Sequence, residues 1–496
     1  MKALNILSFI SIFVLPVPLS ILVTPRAYYM PLTYLVLLGS EVSLLSFFYF
    51  VWQYGRKRSV VQSQTYTPGS YRVCSLVASY NEDPLMVRDT IISVKLATGI
   101  GRVIVIDDST DTSKAGELSR YCDMLHVSYV HRDNRRGYKA GAINDVLKTL
   151  DGVDIFAIFD ADQRPDSNFF DEILNCFNDE KVGFVQLPQK YSENNTRIAR
   201  AANYMQLPFL HTVMSGRSKA DSTFSLGSGT AFRMKAVVEA GYFVEDTVTE
   251  DIATSLQIIA KGYRGVYLDR DLVYYGIAPM DARAILSQQA RWSLGGFQLL
   301  GPLLRSNLPF RQFIDFMFGD LYWLKEGPIA LVEIVAPIIF LALGVAYMSL
   351  SYLYYAAVFI PFFFATMIAT VLIGGRDYGL KGAVMHQGVE MLNFWVITVS
   401  FFTWALRKKK PFNVTSKKAR QVKLRSLSPN IAVLAAVSLS IAIGFLRLLN
   451  SADPIPYAIN IFWAVWIDVA MAVGLYCALS SRSTEEGAVK IPDAAV

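Results

Sequence analysis

Cysteine and histidine are scarce in this sequence. The four cysteines among 496 residues (Cys74, Cys122, Cys176, Cys477) show no CxxC spacing. Neither a disulfide framework nor a zinc site is expected from them. The four histidines (His126, His131, His211, His386) form no HExxH or similar cluster, and each reads as structural. Charge is also sparse, at 18% of residues with a net of +6. The basic residues gather beside apolar runs, which fits cytoplasmic membrane flanks and argues against a nucleic-acid partner. There is no internal repeat and no low-complexity tract.

Apolar residues fill the space that charge leaves. They make up 53% of the chain, aromatics 13%, and the mean hydropathy is +0.34. A soluble protein of this length is rarely so apolar, so an integral membrane protein is expected. The run Asn5–Val23 fits a cleaved signal peptide or, preferred because Pro16 and Pro18 interrupt it, the first arm of a retained helical hairpin whose second run, Pro31–Trp52, ends in Arg56-Lys57-Arg58. Those basic residues place the middle of the chain in the cytoplasm. After residue 292 come further apolar runs at about 327–349, 351–373, 386–405, 430–449 and 457–479. Lys408, Lys409, Lys410, Lys417, Lys418, Arg420, Lys423 and Arg425 form a basic segment that belongs inside. An even number of crossings must therefore precede it. The run 385–405 is broken by Gln387, Glu390 and Asn393, so it is expected to lie at the cytoplasmic interface. Six spans result, two before the middle of the chain and four after it. Glu333 and Asp468 fall within apolar runs and are expected to face a channel or another helix.

The expected divisions are a transmembrane hairpin (1–58), a polar linker (59–70), a soluble domain (71–292) and interfacial helices (293–326). A second hairpin (327–373), an interfacial segment with a loop (374–428), a third hairpin (429–480) and a cytoplasmic tail (481–496) complete the chain. The soluble domain alternates strands and helices. Strands are expected at Arg72–Ser79, Arg102–Ile106, Met124–Tyr129 and Ile155–Phe159, with helices at Met86–Ala97 and Gly141–Leu150. That is a βαβ series with a mostly parallel sheet. Ligands bind such sheets at the carboxyl ends of the strands. Acidic residues cluster there: Asp107-Asp108-Ser109 after one strand, Asp160-Ala161-Asp162 after another.

Two carboxylates two apart at a strand end can share one divalent cation, with diphosphate oxygens completing the shell. By itself such a pair also suits a solvated turn. Between the two acidic ends lies Asn134-Arg135-Arg136-Gly137-Tyr138-Lys139-Ala140-Gly141. Its glycines let backbone amides approach an anion, and Lys139 adds charge at a helix start. Farther on, Glu250-Asp251 opens an amphipathic helix, and Gln288-Gln289-Ala290-Arg291-Trp292 stands just before the chain turns apolar. Carboxylates at a helix start also suit the helix dipole.

VASYNEDP, DDS, RRGYKAGAIN, FDADQRP, GSGTAFRMKAVVEAGYF, VTEDIATSLQIIAKGYRGVYL and QQARW occur in that order. Their order and spacing resemble family 2 glycosyltransferases, in particular the processive membrane branch of cellulose and hyaluronan synthases. The resemblance covers about Tyr71 to Trp292. Phe412-Asn413-Val414-Thr415-Ser416-Lys417 resembles the gating loop of cellulose synthases. The fold it implies is α/β GT-A, a Rossmann-like, mostly parallel sheet inserted between transmembrane helices. DDS stands where DDG is commoner, and Lys418 follows the loop where glycine is usual.

The resemblance also implies roles. Tyr80, Glu82 and Asp108 would hold the uracil and ribose of the donor, and Lys139 its diphosphate. Asp160 and Asp162 would hold Mg2+ or Mn2+, Asp162 the more directly. Asp251, beside Glu250, would be the general base. Gln288 would lie on the donor side, Arg291 would offset the leaving diphosphate, and Trp292 would stack the acceptor sugar. Ser228, Gly229 and Thr230 would line the acceptor site, and Thr415 and Lys417 would close over the nucleotide. The implied activity is processive, inverting β-glycosyl transfer from a UDP-sugar, with UDP-glucose and a cellulose-like β-glucan favoured. Its partners would be that donor, a growing polysaccharide or glycolipid acceptor, and the bilayer. Single addition to a lipid carrier, or a transporter or scaffold with an inactive nucleotide domain, are the alternatives.

Overall fold

The computed structural model describes residues 2–56, 71–99, 101–191, 196–275, 278–374, 378–408 and 424–479. The linker 59–70, the loop carrying Thr415 and Lys417, and the tail 481–496 lie outside them. The chain opens with α1 (Lys2–Val14) and α2 (Pro16–Val23), joined at Leu15. Pro16 occupies the first turn of α2, where no amide is needed. The long α3 (Met30–Arg56) returns alongside.

The middle of the chain is a seven-stranded sheet with order β3-β2-β1-β4-β8-β6-β9. In chain order it holds β1 (Val73–Ser79), α4 (Pro84–Thr98), β2 (Arg102–Asp107), α5 (Thr112–Met124), β3 (Ser128–His131), α6 (Tyr138–Leu147) and β4 (Ile155–Asp160). Asp83 caps α4 by accepting the Leu85 N–H at 3.1 Å, with Pro84 in the first turn. Asp111 caps α5 through the amides of Ser113 and Lys114. The residues expected to begin a strand at Met124 instead finish α5, and the strand starts four residues later, at Ser128. This strand sits at the sheet edge, where half its ladder is missing and the sequence pattern is weak.

The chain continues through β5 (Gln163–Pro165), α7 (Phe169–Ile173), β6 (Val182–Gln186), β7 (Lys190–Tyr191), α8 (Arg197–Pro208) and α9 (Ser215–Ser218). Then come β8 (Thr230–Arg233), α10 (Met234–Ala240), α11 (Glu250–Ala260), β9 (Arg264–Tyr267) and β10 (Val273–Tyr275). Strand β8 runs antiparallel to β4 and β6; the other ladders of the large sheet are parallel. Strands β5, β10 and β7 form a second, small sheet. Side chains alternate across the large sheet with period two. Leu76, Ile104, Ile106, Phe156 and Ile158 pack on one face, and Val77, Val103, Val105, Ala157 and Phe159 on the other. The first face shares its core with Ile12, Leu38, Val42, Phe313 and Met317 of the apolar helices. The sheet domain and the N-terminal hairpin are therefore one packed body.

After the sheet come α12 (Ala282–Arg305), α13 (Phe310–Leu324), α14 (Ala330–Leu343), α15 (Tyr352–Gly374), α16 (Gly379–Ala405), α17 (Ser428–Leu449) and α18 (Ile455–Leu479). A π-helical turn, Lys325–Ile329, joins α13 to α14 in one continuous helix. That helix starts earlier and ends earlier than the apolar run 327–349. Among the described residues seven helices are long and apolar enough to cross a membrane, so the chain is a multi-pass membrane protein. The seventh, beyond the six expected, is α16, with the lowest hydropathy of the set at 1.2.

Helix α16 packs on α8, α12, α17 and α18. Asn430, in the first turn of α17, donates to the Leu392 carbonyl at 2.9 Å. Gly388 packs backbone to backbone on Gly474, in the last part of α18. Asn393 touches Met205 of α8, and Ser400 donates to the Ala290 carbonyl of α12 at 2.9 Å. Helix α8, a part of the sheet domain, buries Ile198, Ala201, Ala202 and Met205 in the same cluster as α14, α16 and α18. Glu333 and Asp468 each meet a neighbouring helix. Asp468 accepts from Ser438 of α17 at 3.1 Å, and Glu333 lies against Gly39 of α3.

Candidate active site

The site forms where β1, β2, β4 and the loop before β8 end together. Tyr80 and Glu82 come directly after β1. The Arg135 guanidinium stacks on the Tyr80 ring at 3.7 Å, and Tyr138 lies on the same cation. Asp108 comes directly after β2 and is held by two bonds from Arg132, at 2.7 and 2.5 Å. Asp107 is turned inward to Ser109 and Tyr129.

Lys139, in the first turn of α6, reaches across to β4. Its Nζ donates to Asp160 Oδ1 at 2.6 Å and to the Gly227 carbonyl at 2.8 Å. Burial alone would lower its proton affinity. The carboxylates of Asp160, Glu250 and Asp251 outweigh that and hold it above the ordinary lysine range. Ser228 Oγ donates to the other Asp160 oxygen at 2.9 Å. Asp162, 6% exposed, sits near enough to act on Tyr191 electrostatically.

The acidic pair at the start of α11 closes the site. Burial raises Asp251 to about 7, helped by the charge of Glu250. The Ile252 amide, at 2.9 Å, and Lys139 pull the other way. Burial also raises Glu250, against Lys139 and Arg291. Gly227, at φ +85°, packs on this carboxylate: a Cβ there would stand 3.1 Å from Asp251 Oδ2.

Gln288, Arg291 and Trp292 share one face of α12 by their i, i+3, i+4 spacing. Arg291 acts on Glu250 and Gln288 bonds Tyr191. Trp292 is half-buried one turn beyond Gln288. The helix reaches the acidic pair because Gly295 is bare: any side chain there would run into Thr249, the residue before Glu250. On its next turn Phe297 stacks with Trp404 of α16. The expected set from Tyr80 to Trp292 thus gathers at one sheet edge that leads directly to the apolar helices.

Thr230 is a correction. Expected among the acceptor contacts, it is fully buried, and its hydroxyl turns inward to Gln186 and Ser225. As the first residue of β8 it faces the sheet interior. Ser228 and Gly229 are also buried but stand in the loop before the strand, where the Ser228 hydroxyl turns to Asp160. Thr415 and Lys417 lie outside the described residues. Sequence reasoning missed Gln186, Gln189, Tyr191 and Gln206. The Tyr191 hydroxyl accepts from Gln206 at 3.0 Å and is bonded by Gln288. A polar Gln186 at the end of the buried run VGFVQ was the available signal.

Asp160 and Asp162 fit a hard divalent cation. Among the described residues no three His, Cys, Asp or Glu side chains gather into a closed metal cage. Two carboxylates alone leave most of a cation's oxygen shell to be supplied from outside the protein.

A model described as glycosyl transferase family group 2 matches residues 155–373. The cellulose synthase catalytic subunit (UDP-forming) of Pseudomonas fluorescens is 26% identical over 425 residues, covering 82% of this chain and 56% of that one. Glucomannan 4-beta-mannosyltransferase 7 of Arabidopsis thaliana is 24% identical over 337 residues, 65% of this chain and 58% of that one. The chain thus spans little more than half the length of these curated relatives. A mannosyltransferase from Pyrobaculum calidifontis, solved with GDP-Man and Mn2+, superposes with a TM-score of 0.54 at 17% identity. That match covers 76% of this chain and all of the other, and it is a likeness of fold.

Proposed function

We propose that the chain, which matches glycosyl transferase family group 2 over residues 155–373 and is similar to cellulose synthase catalytic subunits, is a processive, inverting β-glycosyltransferase. It takes sugar from a UDP-activated donor at the cytoplasmic face and passes the polymer through its own helices. The observation that carries this reading is the convergence of Asp160, Lys139, Glu250, Asp251 and Arg291 at the sheet end that α12 joins to the apolar bundle.

The chemistry is set by the groups present. A sugar hydroxyl is a weak nucleophile until a base takes its proton. Asp251, with its proton affinity raised to about 7, is suited to that work near neutral pH. The acceptor oxygen bonds to the anomeric carbon as the carbon–phosphate-oxygen bond breaks, and the electron pair leaves on the diphosphate. A single displacement with one base inverts the anomeric centre, so an α-linked donor yields a β-linked product. Lys139 and Arg291 face the developing negative charge. Asp160 and Asp162 would hold Mg2+ or Mn2+, which neutralises diphosphate charge when bound. Tyr80, Glu82 and Asp108 would position the nucleoside, Gln288 the donor side, and Trp292, Ser228 and Gly229 the acceptor. UDP-glucose and a β-glucan are the favoured donor and product, on the likeness of the loop at Thr415 and Lys417.

The cytoplasmic placement of the sheet domain rests on the basic flanks, and α16 is read as an interfacial helix. The test is radiolabelled transfer by the purified full-length chain with UDP- and GDP-sugars and either metal, then linkage analysis of the product. Long β-linked polymer is expected. A single-sugar lipid product would replace processive synthesis with carrier glycosylation, and no transfer from any donor would overturn the enzyme reading.

A further inference from the structure

Two glutamines at the end of β6 close on the loop Ser225–Thr230. Gln186 is fully buried. Its Oε1 accepts the Leu226 N–H at 2.6 Å and the Thr230 hydroxyl. Its Nε2 donates to the carbonyls of Leu187, Ser228 and Gly229, at 2.7, 3.2 and 3.3 Å. Gln189, half-buried and three residues on, donates to the Ser228 carbonyl at 2.7 Å and to Ser228 Oγ at 3.1 Å. We propose that Gln186 and Gln189 are a clamp that positions this loop, and that the loop sets the base Asp251 against the donor-side carboxylate Asp160. The inference deepens the proposed transfer reaction and rests on it.

The loop needs outside partners because of its backbone. Gly227 and Gly229 both have positive φ, +85° and +61°, and the Ser228 carbonyl between them turns toward the two glutamines, while the Gly229 carbonyl also takes the Leu187 N–H at 3.4 Å. A buried carbonyl without a donor is costly, so something must meet them. A primary amide is suited to this, since one end accepts and the other donates twice. A leucine or methionine could fill the same volume but would answer none of these groups.

The clamped loop then makes three contacts with the reacting groups. Ser228 Oγ bonds Asp160, the Gly227 carbonyl receives Lys139, and the Gly227 backbone forms the wall against Asp251. A small shift of Gly227–Ser228 would displace the wall of the base and a partner of Asp160 at once. In-line displacement is sensitive to misplacement on the scale of an ångström. Nucleoside contacts at Tyr80 and Asp108 lie on other strand ends and do not depend on this loop. The clamp is therefore expected to act on turnover and to spare nucleotide affinity.

The experiment uses the full-length protein in detergent or nanodiscs. Transfer rate, UDP dissociation constant and thermal midpoint are measured for wild type, Gln189→Leu, Gln189→Glu and Gln186→Glu. Gln189→Leu removes the side clamp at a half-buried position, so it should fold. It is expected to lower kcat at least tenfold, with the UDP constant within threefold and the midpoint unchanged. Gln189→Glu, which turns an acceptor toward the Ser228 carbonyl, should be worse than leucine. Gln186→Glu keeps the two acceptor bonds, faces three carbonyls with charge, and should lose at least a hundredfold. If that variant fails to fold, the Gln189 pair decides alone. Transfer by Gln189→Leu within twofold of wild type overturns the clamp. So does a loss that tracks UDP affinity or folded fraction in proportion. A wild-type protein that transfers sugar from no donor overturns the reading beneath it, which is a different result.

Discussion

Asp251 and Arg291 make opposite demands on the same small volume, and each can be tested by a single substitution. A general base must shed its proton before it can take another. Asp251 is raised to about 7 by burial and by Glu250. Below that pH it is protonated and inactive, so kcat/KM should fall tenfold per pH unit on the acid side and level off above neutrality. A limb that stays near pH 4 would place the base elsewhere. Glu250 is coupled to it, so the limb belongs to the pair, and Glu250→Gln should move it downward by removing the neighbouring charge. Asp251→Asn should abolish turnover while leaving UDP binding intact; unchanged turnover in purified protein would remove Asp251 from the mechanism. In the proposed mechanism Arg291 faces the leaving group, so Arg291→Ala should cost about 10²–10³ in kcat. Arg291→Lys should recover only part, because an ammonium keeps the charge without the planar fork.

At the scale of elements the decisive contact is between α12 and the start of α11. Gly295 leaves the room that Thr249 occupies. Gly295→Val should push α12 away from Glu250 and lower kcat at least tenfold in protein that still binds UDP; wild-type turnover in this variant would show that the two helices need not touch. A second junction ties the membrane anchor to the sheet domain. Asp315 of α13 is fully buried and accepts from Gln53 of α3 at 2.7 Å and from Ser222 at 2.5 Å. Its backbone carbonyl receives Arg217 at 2.9 Å. Asp315→Ala would strand buried donors and should destabilise the protein by about 3–5 kcal/mol, seen as a lowered unfolding midpoint. Much of this architecture was legible beforehand. Strand ends carrying DDS and DAD, the helix opened by Glu250-Asp251 and the QQARW segment announce themselves by residue type in an ordered series. The buried polar supports did not. Gln186 and Asp315 act through partners 40 to 262 residues away in sequence, and no local pattern encodes such pairings. Thr230 shows the same limit in reverse. The strand register decides which way its hydroxyl turns, and register is a tertiary property.

For the molecule as a whole, the number of crossings between the sheet domain and the basic segment at 408–425 decides which side each occupies. The helix formed by α13 and α14, then α15, then α16 all have the length to cross. Three crossings would leave the sheet domain and eight Lys and Arg residues on opposite sides. That arrangement conflicts with the excess of basic residues found in cytoplasmic loops. Two crossings keep both inside, provided α16 lies along the surface. It meets the first turn of α17 at Asn430, the last part of α18 at Gly474, α8 of the sheet domain at Met205, and α12 at Ala290. On that reading α16 would form a beam under the bundle, where Phe401 and Trp404 pack on Phe297 of α12, just beyond Trp292. Lys381 and Leu406 stand exposed at its two ends. Lys381→Cys and Leu406→Cys should therefore react with a membrane-impermeant maleimide from the same, cytoplasmic side, as tested in inside-out vesicles. Labelling of Lys381→Cys only from the opposite face would make α16 a span, put the basic segment outside, and break the route by which α12 joins the site to the membrane.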